Sequence, residues 1–241
     1  MELAERYAGL LATDGVVRGL IGPREVPRLW DRHLVNCALL AELLPEGVTV
    51  CDIGSGAGLP GLVLTIARPD LKVTLVEPLL RRTTFLEEVV AGLGLSDVEV
   101  LRGRAEVLHG QRRFAVVTSR AVAPLDRLLR WSMPLVEPTG ALVAMKGSSV
   151  VEEIAAAAPV LSELGCSDPE VVELGGGLRE GAGPGFSTTL AVRVAWADPG
   201  RVSWPLVAPS HGGRPDQRSG RRSSRSPSQS NPGQSNRRRR A

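Results

Sequence analysis

The run VTVCDIGSGAGLPG spans Val48–Gly61 and decides the fold. Its opening residues are mostly apolar and rich in β-branched side chains, which is typical of a strand buried on both faces of a parallel sheet. Gly54, Gly56 and Gly58 follow at every second position. Because they lack a Cβ, they let the chain turn sharply and let a ligand touch the backbone. Leu62–Ala67 predicts the next helix, whose first turn points unpaired N–H groups at such a ligand.

The glycine spacing distinguishes between kinds of nucleotide loop. A nicotinamide loop reads Gly-x-Gly-x-x-Gly, but the sixth position counted from Gly54 is Leu59. A phosphate loop needs Lys-Ser or Lys-Thr, and neither follows here. The order Asp52-x-Gly54-x-Gly56-x-Gly58 instead resembles the first motif of class I S-adenosylmethionine-dependent methyltransferases. That resemblance implies S-adenosylmethionine as cofactor, with the acid holding its amino-acid end through the ammonium group or a water.

A second acid supports this interpretation. Leu71–Glu77 predicts the next strand, which ends in a carboxylate. Ribose hydroxyls are donors, and a carboxylate at that strand end accepts from both. Taken alone, Glu77 could also be a solvated strand end. Its combination with the glycine loop favours a sugar-binding role.

The composition indicates a globular domain. A hydrophobic share of 43% is enough for a core. No apolar run reaches the roughly 18 residues of a membrane helix, and the acidic start at Glu2 is unlike a secretion signal. Cys37, Cys51 and Cys166 lack metal-ligand spacing, and the first two lie in apolar segments as buried thiols. We therefore expect a cytoplasmic monomer with no metal site and no membrane contact.

The positive charge is concentrated at the C-terminal end. Residues 198–241 contain ten Arg, no Lys and two Asp, so the formal charge of +3 falls to −5 once their +8 is set aside. Ser, Pro, Gln, Asn and Gly dominate this segment, which cannot bury enough apolar surface to fold alone. We predict a disordered basic tail. It is either a solvated tail without a partner or a segment attracted to RNA phosphates regardless of sequence.

The order of predicted elements indicates the fold class. Strands and helices alternate from Val48 onward, which is typical of an α/β protein with a parallel sheet. We predict a Rossmann-like sheet of seven mostly parallel strands with helices on both faces. The last two strands, Glu170–Leu174 and Thr188–Trp196, have a Gly-rich loop rather than a helix between them, which predicts an antiparallel final strand. We expect N-terminal helices in residues 1–45, a cofactor-binding domain in residues 46–197 and the tail in residues 198–241.

A helix is predicted for Arg24–Leu44 in the N-terminal segment. Within it, Arg32, His33 and Asn36 can share one face through helical spacing. On pattern alone, His33 is interpreted as an ordinary surface residue.

Further motifs follow the predicted strands. Arg102-Gly-Arg104-Ala105-Glu106 follows the third, Ser119-Arg120-Ala121 the fourth and Met145-Lys146-Gly147 the fifth. With the His33 segment and a glycine loop that ends Leu59-Pro60-Gly61, the chain from Glu2 to Trp196 resembles the bacterial 16S ribosomal RNA guanine-N7 methyltransferases, also called glucose-inhibited division protein B.

The resemblance implies three groups of site residues. The cofactor would contact Asp52, Gly54, Gly56, Gly58, Leu59, Glu77, Ala105, Glu106 and Arg120. Glu77 would take the ribose, while Ala105 and Glu106 would lie beside the adenine. The RNA would contact His33, Asn36, Arg104 and Lys146, and the residues implied in catalysis are Arg120 and Lys146. The partner would be small-subunit ribosomal RNA or a ribosomal particle.

Methyl transfer to guanine N7 requires few catalytic groups from the protein. Guanine N7 carries a lone pair and no proton, so it attacks the sulfonium methyl group without a general base. Two alternatives stay open at this stage. One is a methyltransferase of the same fold acting on another RNA or a small molecule, although few aromatics and many arginines favour a phosphate-bearing target. The other is an RNA-binding module that has lost catalysis.

Overall fold

The computed structural model describes residues 1–176 and 188–203. Its α-helices are α1 Glu2–Leu10, α2 Val35–Leu39, α3 Gly61–Ala67, α4 Leu80–Leu93, α5 Leu125–Ser132 and α6 Val150–Leu164. Its strands are β1 Thr49–Ile53, β2 Lys72–Glu77, β3 Val98–Arg102, β4 Phe114–Arg120, β5 Val136–Lys146, β6 Glu170–Leu174 and β7 Thr189–Ala195. The Gly181–Gly185 part of the predicted Gly-rich loop and the tail beyond residue 203 lie outside the described residues. The predicted division at residues 45 and 197 stays a prediction.

The strands form one sheet in the order β3-β2-β1-β4-β5-β7-β6. Within this order, the strands from β3 to β5 are all parallel to one another, whereas β7 is antiparallel to both β5 and β6. The predicted seven-stranded, mostly parallel sheet is confirmed, and so is the antiparallel final strand.

Both faces of the sheet are covered, because alternate side chains of each strand point to opposite sides. In β1, Val50 packs with α1, α3 and α4 on one face, while Cys51 and Ile53 pack with α5 and α6 on the other. The predicted helices on both faces are confirmed, and Cys37 and Cys51 are buried free thiols as expected. Within residues 1–176 and 188–203, no helix combines the length and apolar character needed to cross a membrane.

The predicted helix Arg24–Leu44 is wrong as a single element. The segment consists of a 3-10 helix at Pro23–Arg28, a π-helix at Leu29–Leu34, α2, and a second 3-10 helix at Leu40–Leu43. Pro27 lies inside the first of these and has no N–H to donate to a regular helical ladder. Because 3-10 and π turns change the angle between successive side chains, α-helical spacing no longer decides which residues share a face.

Candidate active site

A cleft of about 760 Å³ opens at the carboxyl ends of β1, β2, β3 and β4. Its position agrees with the rule for open α/β sheets, since β1 lies between β2 and β4 and their chain connections leave in opposite directions. The volume is within the range of small-molecule sites. The lining residues come mainly from the loops after these strands: Gly54, Ser55, Gly56, Ala57, Leu59, Glu77, Pro78, Leu79, Gly103, Arg104, Ala105, Glu106, Arg120, Ala121 and Val122.

The glycine loop forms one wall of the cleft. The backbone angle φ is +70° at Gly54, +58° at Gly56 and +101° at Gly58, and residues with a side chain rarely adopt such values. A Cβ on Gly54 would lie 2.7 Å from Val122 Cγ2, and one on Gly58 would meet Leu62. A Cβ on Gly56 would have just one atom within 4 Å, a backbone oxygen at 3.8 Å. An added side chain would therefore clash at Gly54 and at Gly58, whereas Gly56 faces open space.

Tyr7 of α1 holds the loop from the N-terminal side. Its buried hydroxyl donates a hydrogen bond to the carbonyl of Ala57 at 2.8 Å. Burial raises the pKa of Tyr7 well above its usual value, so the hydroxyl keeps its proton. The first helix thereby fixes the backbone at a residue that lines the cleft.

We expect Tyr7→Phe to lower the free energy of unfolding by about 1–3 kcal/mol, because the Ala57 carbonyl loses its buried donor. Urea unfolding followed by circular dichroism measures this. Thr13→Val is the matched control, since Thr13 donates to the Gly9 carbonyl at 2.8 Å on the exposed surface. We expect this control to stay within about 0.5 kcal/mol of the parent. Equal stability of Tyr7→Phe and the parent would contradict the role of the hydroxyl.

Asp52 lies fully buried at the end of β1, beneath the loop. Its Oδ2 accepts a hydrogen bond from the Gly61 N–H at 3.0 Å. Its Oδ1 is buried and has no hydrogen-bond partner among the described residues. Burial raises the pKa of Asp52 to about 7, against the lowering effect of the Gly61 N–H. An unsatisfied buried carboxylate oxygen is costly, and a cation or water at this point would satisfy it.

Glu77 ends β2 and is almost fully buried at the cleft wall. Its Oε2 accepts from the Gly56 N–H at 3.0 Å and from Arg82 Nη1 at 3.4 Å, and its Oε1 accepts from the Leu79 N–H at 3.1 Å. A carboxylate has about four lone-pair positions. Glu77 therefore keeps about one free acceptor position, while its backbone contacts hold it in place at the cleft wall.

Arg120 extends from the end of β4 into the cleft. Its Nη2 donates to His33 Nδ1 at 2.6 Å and its Nη1 lies 3.3 Å from Cys37 Sγ. Burial raises the pKa of Cys37 to about 11, so this sulfur remains a thiol. The interpretation of His33 as a surface residue is wrong. The π turn at Leu29–Leu34 directs His33 into the protein, and Arg32 is the residue that stays exposed.

The remaining predicted residues divide between the cleft and its surroundings. Arg104, Ala105 and Glu106 line the cleft after β3, with Ala105 buried and Arg104 exposed. Asp52, Gly58, Asn36 and Lys146 are not among the residues that line it.

Lys146 is held inside the protein next to the cleft. Its side chain is 6% exposed and its Nζ donates to Glu153 Oε2 at 2.7 Å and to the Ala123 carbonyl at 3.0 Å. The same Glu153 oxygen accepts from the Leu125 N–H at 3.0 Å. Lys146 and Glu153 therefore fix the turn after β4, which carries the cleft residue Val122.

Sequence reasoning missed several residues at or behind the cleft. The position of Arg82 could have been predicted from the sequence. It lies five residues after Glu77, close enough for an ion pair with a carboxylate at the end of the strand. Tyr7 offered no such signal, since its hydroxyl reaches the loop across 50 positions. Glu25 and Trp131 offered none either, because packing and not local pattern brings them to the site.

Comparison with solved structures places the fold. Trm5b from Pyrococcus abyssi matches with a TM-score of 0.51 at 13% identity, over 73% of this chain and 50% of that one. The B. subtilis M1A22 tRNA methyltransferase TrmK matches with a TM-score of 0.50 at 14% identity, over 70% of this chain and 67% of that one. At such identities the likeness concerns the fold alone, a Rossmann-like sheet shared with a solved tRNA methyltransferase.

Sequence comparison identifies the family. The profile described as GidB, rRNA small subunit methyltransferase G, matches residues 1–180. A Nocardioides protein named Ribosomal RNA small subunit methyltransferase G is 71% identical over 91% of this chain and 86% of its own length. A Thermobifida fusca protein of the same name is 50% identical over 89% of this chain and 90% of its own length. The chain belongs to the rRNA small subunit methyltransferase G family.

Proposed function

We propose that this protein transfers the methyl group of S-adenosylmethionine to N7 of one guanine in small-subunit (16S) ribosomal RNA. The observation that carries the proposal is the convergence of separate motifs on one cleft. Gly56, Glu77, Glu106 and Arg120 lie at or just after the carboxyl ends of four different strands and line the same cavity. Membership of the methyltransferase family supplies the reaction class.

In this proposal, each part of the cofactor has its own partners in or behind the cleft. The open space at Gly56 receives the methionine end, along with Gly54 and Leu59. The unpartnered Oδ1 of Asp52 lies behind the cleft lining and would accept from a water that the ammonium group holds. Glu77 takes the ribose: one hydroxyl would fill its spare acceptor position, and the second would replace the 3.4 Å contact with Arg82 Nη1. Ala105 and Glu106 border the adenine, where a carbonyl or carboxylate accepts from the amino group.

When bound, S-adenosylmethionine supplies a methyl group already activated by its sulfonium charge. The protein aligns the reacting atoms at roughly 3–3.5 Å and recognises the guanine. Arg120 donates to guanine O6 or to a phosphate rather than to N7, because N7 must keep its lone pair. The methylated base is cationic, so a guanidinium directed at N7 would also oppose the product charge.

The RNA approaches the open side of the cleft. Arg104 is exposed beside it and suits a phosphate contact. His33 lines the cleft next to Arg120, whereas Asn36 and Lys146 do not line it, so the influence of these two on RNA passes through the residues that do. In this proposal residues 46–197 hold the cofactor and residues 1–45 help to shape the substrate side. Residues 198–241 add sequence-independent affinity for RNA, and the protein acts as a cytoplasmic monomer.

The test uses small subunits from a strain that lacks this protein. Purified protein and tritiated S-adenosylmethionine are expected to label 16S RNA, and borohydride–aniline cleavage, which cuts at N7-methylguanine, is expected to give one new fragment. Label at another atom would overturn the N7 assignment. Label in no RNA substrate, despite bound cofactor, would overturn the proposed substrate class.

We expect Lys146→Ala to slow methyl transfer about tenfold while the cofactor Kd changes little, because the turn after β4 loses its tie to Glu153 and the reacting groups lose alignment. Titration calorimetry and tritium transfer to small-subunit RNA measure the two quantities. Arg130→Ala is the matched control, since Arg130 pairs with Glu163 at 2.6 Å on the outer side of α5 and α6. Full activity of Lys146→Ala would remove Lys146 from the mechanism.

A further inference from the structure

Three side chains form a row that begins outside the cleft and ends in it. Glu25 Oε2 lies 2.8 Å from His33 Nε2, and His33 Nδ1 lies 2.6 Å from Arg120 Nη2. Glu25 comes from the 3-10 helix at Pro23–Arg28, His33 from the π-helix that follows, and Arg120 from the end of β4. The row links the N-terminal segment to the Arg120 guanidinium, which the proposed mechanism directs at guanine O6 or a phosphate.

The chemistry of the three groups fixes the protons in the row. Arginine donates and cannot accept, so His33 Nδ1 must be the acceptor of the Arg120 bond. A neutral imidazole with a bare Nδ1 carries its proton on Nε2. That Nε2–H then donates to the Glu25 carboxylate. Glu25 thereby selects the tautomer that Arg120 requires, as second partners of functional histidines generally do.

Arg120 depends on this arrangement for its direction. Its other partner is the Cys37 thiol at 3.3 Å, and sulfur is a weak acceptor. The contact with His33 is shorter, and His33 itself is buried. A guanidinium on a flexible side chain needs such a fixed acceptor to hold one geometry.

We infer that Glu25 is a positioning residue for methyl transfer: through the His33 imidazole it holds the Arg120 guanidinium in the cleft, where Arg120 meets the target base or its phosphate. The inference rests on the proposed function for the role of Arg120. It gives His33 a task inside the protein, as the acceptor for Arg120.

The row has a pH dependence of its own. A protonated His33 donates at both nitrogens, so it can no longer accept from Arg120. The charged and titratable groups around it are Glu25, Arg120 and Arg32, with Arg28 acting on Glu25 and Arg120 acting on the Cys37 thiol. Burial lowers the pKa of His33 from its usual value, while Glu25 raises it in part. Methyl transfer is therefore lost as the pH falls through this pKa, and neutralising Glu25 moves the loss to lower pH.

The experiment compares Glu25→Ala, Glu25→Gln and the control Asp31→Asn, which neutralises an exposed acid in the same segment. Methyl transfer to small subunits is measured from pH 5.5 to 8.5 at saturating cofactor, so that cofactor binding does not shape the profile. We expect Glu25→Ala to lower the rate of methyl transfer roughly tenfold at pH 8, because the Arg120 guanidinium is no longer held in one direction. Glu25→Gln keeps an acceptor oxygen, and we expect it to stay within about threefold of the parent and to shift the acidic limb to lower pH.

A second readout needs no activity. Nitrogen-15 spectra of the histidines, assigned with His33→Gln, report the tautomer and the pKa directly. We expect the Nε2–H form of His33 in the parent and a lower His33 pKa in Glu25→Gln. An Nδ1–H tautomer, or a His33 pKa that Glu25→Gln leaves unchanged, would overturn the inference even if Glu25→Ala is inactive through poor folding. A parent protein that does not methylate RNA would instead refute the proposed function. The spectra would still show whether Glu25 sets the tautomer of His33.

Discussion

Gly56→Val is expected to raise the Kd for S-adenosylmethionine roughly a hundredfold or more, the equivalent of about 2.7 kcal/mol. The added Cβ would point into open space at the cleft wall, where the methionine end of the cofactor is proposed to lie. A branched side chain fills that space. The backbone N–H that donates to Glu77 survives the substitution, so the sugar-binding acid keeps this contact. The effect is therefore expected on binding far more than on the position of Glu77.

A second effect has to be separated from the first, because valine at φ +58° also strains the loop. Gly165→Val is the matched control. Gly165 ends α6 with φ +71° and an added Cβ there meets nothing within 4 Å. Both variants should lose similar stability in urea unfolding, whereas only Gly56→Val should lose affinity in titration calorimetry. Equal cofactor affinity of folded Gly56→Val and the parent would refute the assignment of the loop.

The features that sequence predicts well are those decided by neighbours along the chain. The strand Thr49–Ile53, its glycine loop and the carboxylate at the end of Lys72–Glu77 follow from short runs of residues, each with its own physical signature. Parallel strands then bring their carboxyl ends to one edge. That geometry alone is enough to place Gly56, Glu77 and Arg120 around one cleft.

The features that sequence misses depend on contacts between distant segments. Tyr7 looks like an ordinary apolar-face residue, yet its hydroxyl fixes Ala57 across 50 positions. Regular α-helical spacing puts His33 on the surface, but the stretch that carries it turns as 3-10 and π helix. The motif after the fifth strand identifies Lys146, but its ion pair with Glu153 depends on how α6 packs beside β5. Local pattern predicts which residues matter, and packing decides what each one touches.

Asp52→Asn is expected to have opposite effects on stability and on cofactor binding. The folded protein holds the pKa of Asp52 near 7, well above its ordinary value of 3.8, chiefly because of burial. The folded state therefore binds the proton more tightly than the unfolded state, and the contribution of Asp52 to stability is lost as the pH rises from about 4 to about 7. Asparagine has no charge to bury. We expect the variant to be more stable than the parent by about 1–3 kcal/mol at pH 8, with no such gain at pH 4.

Cofactor affinity should respond in the other direction, since the ionised carboxylate is what attracts the ammonium group. We expect Asp52→Asn to weaken binding of S-adenosylmethionine roughly a hundredfold at pH 8. The difference in cofactor affinity between parent and variant should narrow below pH 7, because Asp52 of the parent is then protonated and uncharged, like the asparagine. Asp70→Asn is the control with the reverse sign: Arg68 lowers the pKa of Asp70, so this variant should lose stability at pH 8 and bind the cofactor normally. An Asp52→Asn protein that gains stability yet binds the cofactor as tightly as the parent would show that Asp52 is buried for packing, and that the ammonium group lies elsewhere.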